Sequence, residues 1–154
     1  MAYTLKNKTV LLTGGDGFIG SHLAERLVKQ CAKLRVLTQY NSYNSWGWLD
    51  DSALTKDMEI WNGDIRDPGY CRKLTDNVDV VFHLAALIAI PYSYHAPSSY
   101  IDTNVVGTTN MLEAALEKEV DAFYQTSTSE VYGTAIQIPK ELLYTYSFPI
   151  NLEK

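Results

Sequence analysis

A chain of 154 residues, 46% apolar and 20% charged, is long enough for one domain with a real core and too short for two. Its net charge of −5, with no Lys/Arg cluster, argues against a nucleic-acid partner. No apolar run reaches membrane-spanning length, the first residues lack the apolar core of a signal peptide, and Cys31 and Cys71 have no C-x-x-C spacing and no His cluster beside them, so the expectation is a cytoplasmic protein with buried free thiols and no metal site.

The first element is a strand over 10–13, apolar without interruption and therefore suited to burial on both faces of a parallel sheet. It runs into Thr13-Gly14-Gly15-Asp16-Gly17-Phe18-Ile19-Gly20, which opens a helix over 18–32. The glycines follow a G-x-x-G-x-x-G spacing, and each has a physical job. Gly14 allows the tight turn off the strand, Gly17 lets backbone approach a pyrophosphate, and Gly20 lets helix and strand pack closely. Phosphates then meet free N–H groups at the positive end of the helix dipole. A glycine-rich loop that binds nothing is the other reading, but the strand before and the helix after supply the context that dinucleotide binding needs. Ile19, Leu23 and Leu27, with Ala24, Val28 and Cys31 beside them, mark the apolar face of the helix.

A second strand covers 34–38. An ordinary NAD site has an acidic residue near this strand's end to accept hydrogen bonds from the ribose. Here Thr38 and Gln39 stand there, Asp50 and Asp51 come too late, and no Arg follows for a 2′-phosphate, so the residues leave NAD and NADP both open. Trp46 and Trp48, in the turn-rich stretch that follows, read as packing residues more readily than as a stacking platform for a base.

The third strand, 58–62, leads to Gly63-Asp64-Ile65-Arg66-Asp67. Asp64 sits at a strand end, where it would meet the adenine, and Asp67 before Pro68 suits a helix N-cap. The fourth strand, 78–84, ends in Ala85-Ala86, small enough to leave room for phosphate and ribose, and His83 inside it reads as a satisfied core histidine. A helix over 97–118 buries Ile101, Val105, Thr108, Leu112 and Ala115. Gly107 implies close packing against a strand, and Asn104 is expected to bond the loop after the fifth strand. That strand, 122–127, delivers Thr128-Ser129-Glu130 to its C-terminal end. The order of elements is that of an α/β, doubly wound parallel sheet, in which ligands bind outside the C-terminal strand ends.

These segments resemble the extended short-chain dehydrogenase/reductases, and more narrowly the NAD-dependent epimerase/dehydratases of nucleotide sugars. The resemblance rests on the glycine-rich stretch 13–20 with 63–67, on His83-Leu84-Ala85-Ala86, on Asn104-Val105-Val106-Gly107-Thr108, and on Ser127-Thr128-Ser129-Glu130-Val131-Tyr132-Gly133. Thr128-Ser129-Glu130, with stretches 40–50 and 90–97, is similar to the 4,6-dehydratases. The resemblance implies a Rossmann fold and NAD as cofactor. It places NAD on Gly14, Gly17, Phe18, Ile19, Gly20, Gln39, Asp64, Ile65, Leu84, Ala85, Ala86 and Asn104. It also implies a nucleotide-sugar substrate, oxidised at C4, relieved of its C5 proton by Glu130 as the 6-hydroxyl leaves, and re-reduced at C6. Thr128 would hydrogen-bond the C4 oxygen, with Ser129 between the two.

One departure stands beside the match. The family's Tyr-x-x-x-Lys pair is missing: Tyr132 is followed four positions on by Ile136, Tyr144 by Phe148 and Tyr146 by Ile150. The resemblance holds over a cofactor-binding domain, 1–139, and gives way to a divergent tail, 140–154, with no substrate domain after it. The expectation is an incomplete family member whose uncovered apolar faces favour a homo-oligomer. The competing readings are a catalytically silent dinucleotide-binding module and a remnant that binds nothing.

Overall fold

The computed structural model describes residues 4–31, 33–128 and 131. Ser129, Glu130 and the tail 140–154 lie outside the described residues.

The strands are β1 (Thr9–Thr13), β2 (Lys33–Gln39), β3 (Glu59–Gly63), β4 (Val80–His83) and β5 (Ala122–Gln125). All neighbours run parallel, in the spatial order β3-β2-β1-β4-β5. The doubly wound sheet inferred from the sequence is therefore present, and its topological switch lies between β1 and β4. Side chains on successive strand residues leave opposite faces, and both faces are covered. Val10, Leu12, Leu34, Val36 and Val80 enter one core with Ala24 and Leu27 of helix α1 (Phe18–Leu27). Leu11, Leu37, Val81 and Phe123 enter a second core with Cys71 and Leu74 of α2 (Pro68–Leu74). Asp67 caps α2 as expected: its carboxylate accepts from the Tyr70 N–H at 3.0 Å, and Pro68 follows it.

Several boundaries differ from the sequence expectation. α1 stops at Leu27 instead of reaching 32, because the Leu27 carbonyl takes the Gln30 N–H in a tight closing turn that sends the chain back to β2. Ile19 is exposed at the mouth of α1, while Gly20 and Ser21 face inward, so the packing face begins one residue later than the spacing implied. β4 and β5 are each shorter than expected at the C-terminal end, and the residues beyond them form the loops of the site.

The helix expected over 97–118 is continuous but not uniform. α3 (Ile90–Ser93) precedes it; α4 (Pro97–Tyr100) leads into a π-helical segment, Ile101–Gly107, and then into α5 (Thr108–Glu117). The wider π turn breaks the α-helical count across the segment. Ile101 and Val105, expected inside, are more than half exposed; Ala115 is buried as expected, and Gly107, Met111 and Ala114 are buried with it. Thr108 and Leu112 are half-buried. Gly107 is closely packed, but against a loop residue: a Cβ there would lie 2.6 Å from Ile65 Cδ1, just past β3.

The stretch after β2 is stitched to itself and to the glycine-rich turn. Asn41 Oδ1 accepts the Tyr43 and Ser45 N–H groups, and Asp50 accepts from the Ser45 hydroxyl and the Trp46 N–H. Trp46 packs on the α1 core as expected, whereas Trp48 is exposed and meets only the rim, its ring 5.2 Å from that of Phe18.

Both cysteines are free; Cys71 is buried and Cys31 half-buried. Burial pushes the Cys71 thiol up to about 12, and its Sγ donates to the Ile65 carbonyl at 3.2 Å. A maleimide at pH 7.5 is therefore expected to modify Cys31 in the native chain and to reach Cys71 only in denaturant, because the thiolate is the reactive form. Equal rates in peptide mass mapping would contradict this burial. No helix among the described residues is long and apolar enough to cross a membrane.

Candidate functional site

Each strand ends at the same edge of the sheet, so the loops that follow them surround one cleft of about 940 Å³. Its walls include Gly14, Gly17, Phe18, Ile19 and Gly20 after β1, Gln39 after β2, Asp64 and Ile65 after β3, and Leu84, Ala85 and Ala86 after β4. Asn104 of the π segment and Thr128 beyond β5 complete it. Ser129 and Glu130, the other two candidates, lie outside the described residues.

The glycine turn is tight because backbone touches backbone. Gly14 has φ +72°, and a Cβ on it would lie 2.8 Å from the Ala85 N. A Cβ on Gly20 would lie 2.0 Å from the Gly14 carbonyl oxygen, so this glycine serves contact with the turn itself. Around Gly17 the nearest atom to such a Cβ is the Gly14 oxygen at 3.4 Å, which leaves that side open. Gly17 is the N-cap of α1, no side chain caps the helix, and no acidic residue occupies its first turn. The first N–H groups of α1 are thus left for a ligand with negative charge. Gly15, to which the sequence reading gave no job, is as constrained: its Cβ would lie 2.0 Å from Val36 Cγ1.

Beneath the turn lies a hydrogen-bond chain that sequence reasoning did not find. Thr13 Oγ1 accepts the N–H groups of Leu84 and Ala85 at 3.2 and 3.1 Å. With both lone pairs taken, its own proton goes to His83 Nδ1, 2.8 Å away. His83 then carries its proton on Nε2 and donates to Thr108 Oγ1 at 3.1 Å. Burial holds the imidazole down to about 4, so it is neutral. His83 is thus a satisfied core histidine, as the sequence suggested, and it ties β1, β4 and α5 together under the cleft floor.

Asn104 holds the next wall. Its Oδ1 accepts the Leu87 N–H at 2.8 Å and its Nδ2 donates to the Leu87 carbonyl at 2.9 Å. Among the described residues its partner is therefore in the loop after β4 rather than the loop after β5. Asn104→Ala is expected to cost about 2 kcal/mol, one for each bond lost, and to loosen this loop. Urea denaturation checks the first effect, and faster hydrogen exchange at Leu87 and Ile88 the second.

Charge in the cleft is of one sign. Asp64 is paired with Arg66, whose Nε lies 2.9 and 3.0 Å from its two oxygens, and this bond holds the carboxyl below its usual range. Asp16 Oδ2 accepts the Gln39 N–H at 3.2 Å. Among the described residues that line the cleft there is no Lys or Arg.

Comparison with known proteins bears on this arrangement. The sequence pattern of the GDP-mannose 4,6 dehydratase family matches residues 11–146. A UDP-N-acetyl-alpha-D-glucosaminuronate decarboxylase of Bacillus cytotoxicus is 39% identical over 82% of this chain and 38% of its own length. A dTDP-glucose 4,6-dehydratase of an Actinoplanes species is 33% identical over 81% of this chain and 41% of its own. The solved dTDP-glucose 4,6-dehydratase of Streptomyces venezuelae, with NAD and TYD bound, superposes with a TM-score of 0.73 at 31% identity over 84% of this chain and 42% of that one. The chain thus spans about two fifths of the relatives it matches. With the pattern running over most of the chain and the same fold beneath it, the chain belongs to the GDP-mannose 4,6 dehydratase family, among the nucleotide-sugar epimerases and dehydratases of the extended short-chain dehydrogenase/reductases.

Proposed function

We propose that this chain is the NAD-binding part of a nucleotide-sugar 4,6-dehydratase, and that it binds the dinucleotide in the cleft at the strand ends. The observation that carries the reading is the uncapped N-terminus of α1 behind a glycine turn whose Gly17 side is open. The residues fit such a group. Gly17 would let a pyrophosphate approach the first N–H groups of α1, while Gly14 and Gly20 keep the turn tight beneath it. Gln39 and Asp64 bound the adenosine end, and Ala85 and Ala86 leave space beside the turn. NAD, when bound, supplies the capacity to take up and return a hydride. Phe18, Ile19, Leu84 and Ile65 give the cleft apolar walls.

The chain's own chemical groups follow β5. The Thr128 hydroxyl would hydrogen-bond the sugar C4 oxygen, and Glu130 would remove the C5 proton, which a C4 ketone makes acidic. Residues 132–154 carry no Tyr-x-x-x-Lys pair to accept the C4 hydroxyl proton.

Calorimetric titration with NAD+ tests the proposal, followed by incubation with nucleotide sugars and an assay for 4-keto product. Saturable binding of NAD+ is the expected result. A folded chain that binds neither NAD+ nor NADP+ would refute the assignment, and 4-keto product would show the dehydratase chemistry directly.

A further inference from the structure

Dinucleotide sites tell their two cofactors apart at the end of the second strand, where an acidic residue bonds the ribose 2′-hydroxyl or an arginine receives the 2′-phosphate. In this chain β2 ends at Gln39, which can do neither by charge. The structure fills the position from another part of the chain. Asp16, in the glycine-rich turn, sets Oδ2 3.2 Å from the Gln39 N–H, and both residues line the cleft.

Resting on the function proposed above, we infer that Asp16 is the residue that selects NAD over NADP. Its placement is built from both sides. On one side, the Gly15 N–H donates to the Leu37 carbonyl at 3.1 Å, which fastens the turn to β2. On the other, the Asp16 carbonyl accepts the Trp48 N–H at 3.1 Å, and a Cβ on Gly47, at φ +59°, would lie 2.4 Å from that same oxygen. The loop after β2 is pressed against Asp16 and holds it in place. A carboxylate offers about four acceptor positions, so one bond to Gln39 leaves capacity for a ribose hydroxyl.

The same group opposes a 2′-phosphate, which carries roughly −2 at neutral pH. No ion pair to Asp16 occurs among the described residues, whereas Asp64 is matched by Arg66. No Lys or Arg among the described lining residues offsets the Asp16 charge, and His83 is neutral. Discrimination thus comes from both an acceptor for the right ligand and a repulsion against the wrong one.

Calorimetric titration of the whole chain with NAD+ and with NADP+ tests this, with the rise in melting temperature at saturating ligand as a second readout. The natural chain is expected to prefer NAD+ by about 100-fold, a gap that narrows as salt screens the repulsion. Asp16→Asn keeps an acceptor for Gln39 and for the ribose but removes the charge. It should bind NAD+ within about 3-fold of the natural chain and NADP+ about 10-fold more tightly. Asp16→Arg should invert the preference. NAD+ binding with a ratio that Asp16→Asn leaves unchanged would overturn the inference alone, as would equal affinity of the natural chain for the two. Failure of the folded natural chain to bind either dinucleotide would overturn the underlying assignment, and this inference with it.

Discussion

Gly20→Ala is expected to abolish dinucleotide binding and to destabilise the fold by at least ~3 kcal/mol, because the added methyl has no space and its obstacle cannot rotate away. The obstacle is the Gly14 carbonyl oxygen, 2.0 Å from where the Cβ would sit, with Gly15 Cα at 3.0 Å. Gly14 is itself held at φ +72° against the backbone of Ala85. Relief would have to move β1, the turn and the end of β4 together. Gly17→Ala is the informative control. Its φ of −77° suits any residue, and only the Gly14 oxygen at 3.4 Å lies near. Stability should change by less than about 0.5 kcal/mol, while the methyl takes up space on the side left open for phosphate and weakens NAD+ binding by about 10-fold or more. Urea denaturation and titration on both variants separate the two roles. Equal loss of stability in both would refute the division of labour between these glycines.

Acid is expected to destabilise the chain through His83 before the carboxylates titrate. The folded imidazole is held at about 4, against an ordinary value near 6.5. As pH falls, the unfolded chain therefore takes up the proton first. The stabilisation is complete above about 6.5, declines as pH drops towards 4, and is gone below both values. The full span corresponds to about 3 kcal/mol, since each pH interval of one between the two values is worth about 1.4. The cause is geometric as well as dielectric. A proton on Nδ1 would face the Thr13 hydroxyl proton, and Thr13 cannot turn around without releasing the N–H groups of Leu84 and Ala85. His83→Phe should be less stable at pH 7.5, with the Thr13 and Thr108 hydroxyls left unmatched, but should lose little between pH 6.5 and 4.5. Unfolding free energies at three pH values in both chains provide the comparison. A parallel decline in the two would assign the acid sensitivity to other groups.

Local chemistry was legible in the sequence. The uninterrupted apolar strand at 10–13, the glycine spacing after it and the Asp67-Pro68 helix start each follow from contacts within a few residues, and each appears in the structure where the sequence put it. The convergence of loops on one edge followed from the order of elements alone. What stayed hidden depends on partners far along the chain. Thr13 meets His83 and Leu84 seventy or so residues later, and Asp16 meets Gln39 across a strand pair. Arg35 of β2 is buried by distant partners, with Nη1 bonded to the carbonyls of Leu74 and Asp76 and its guanidinium over the Trp61 ring. The face of the 97–117 helix was misjudged at Ile101 and Val105, though not at Leu112 and Ala115, because an even 3.6-residue count cannot register a wider turn.

That wider turn makes the helix work like a vernier. Each residue of an α-helix advances about 100° around the axis, so two addresses on one rod can be met together only when their separation suits that step. Here one address is the Leu87 backbone, read by Asn104, and the other is the core, read by Met111 and Ala115. The π segment resets the phase between them, so that each can be met without breaking the rod. Its seven residues therefore carry length as information: one fewer, with Met111 still seated, would turn Asn104 by about 100° away from the cleft wall it holds.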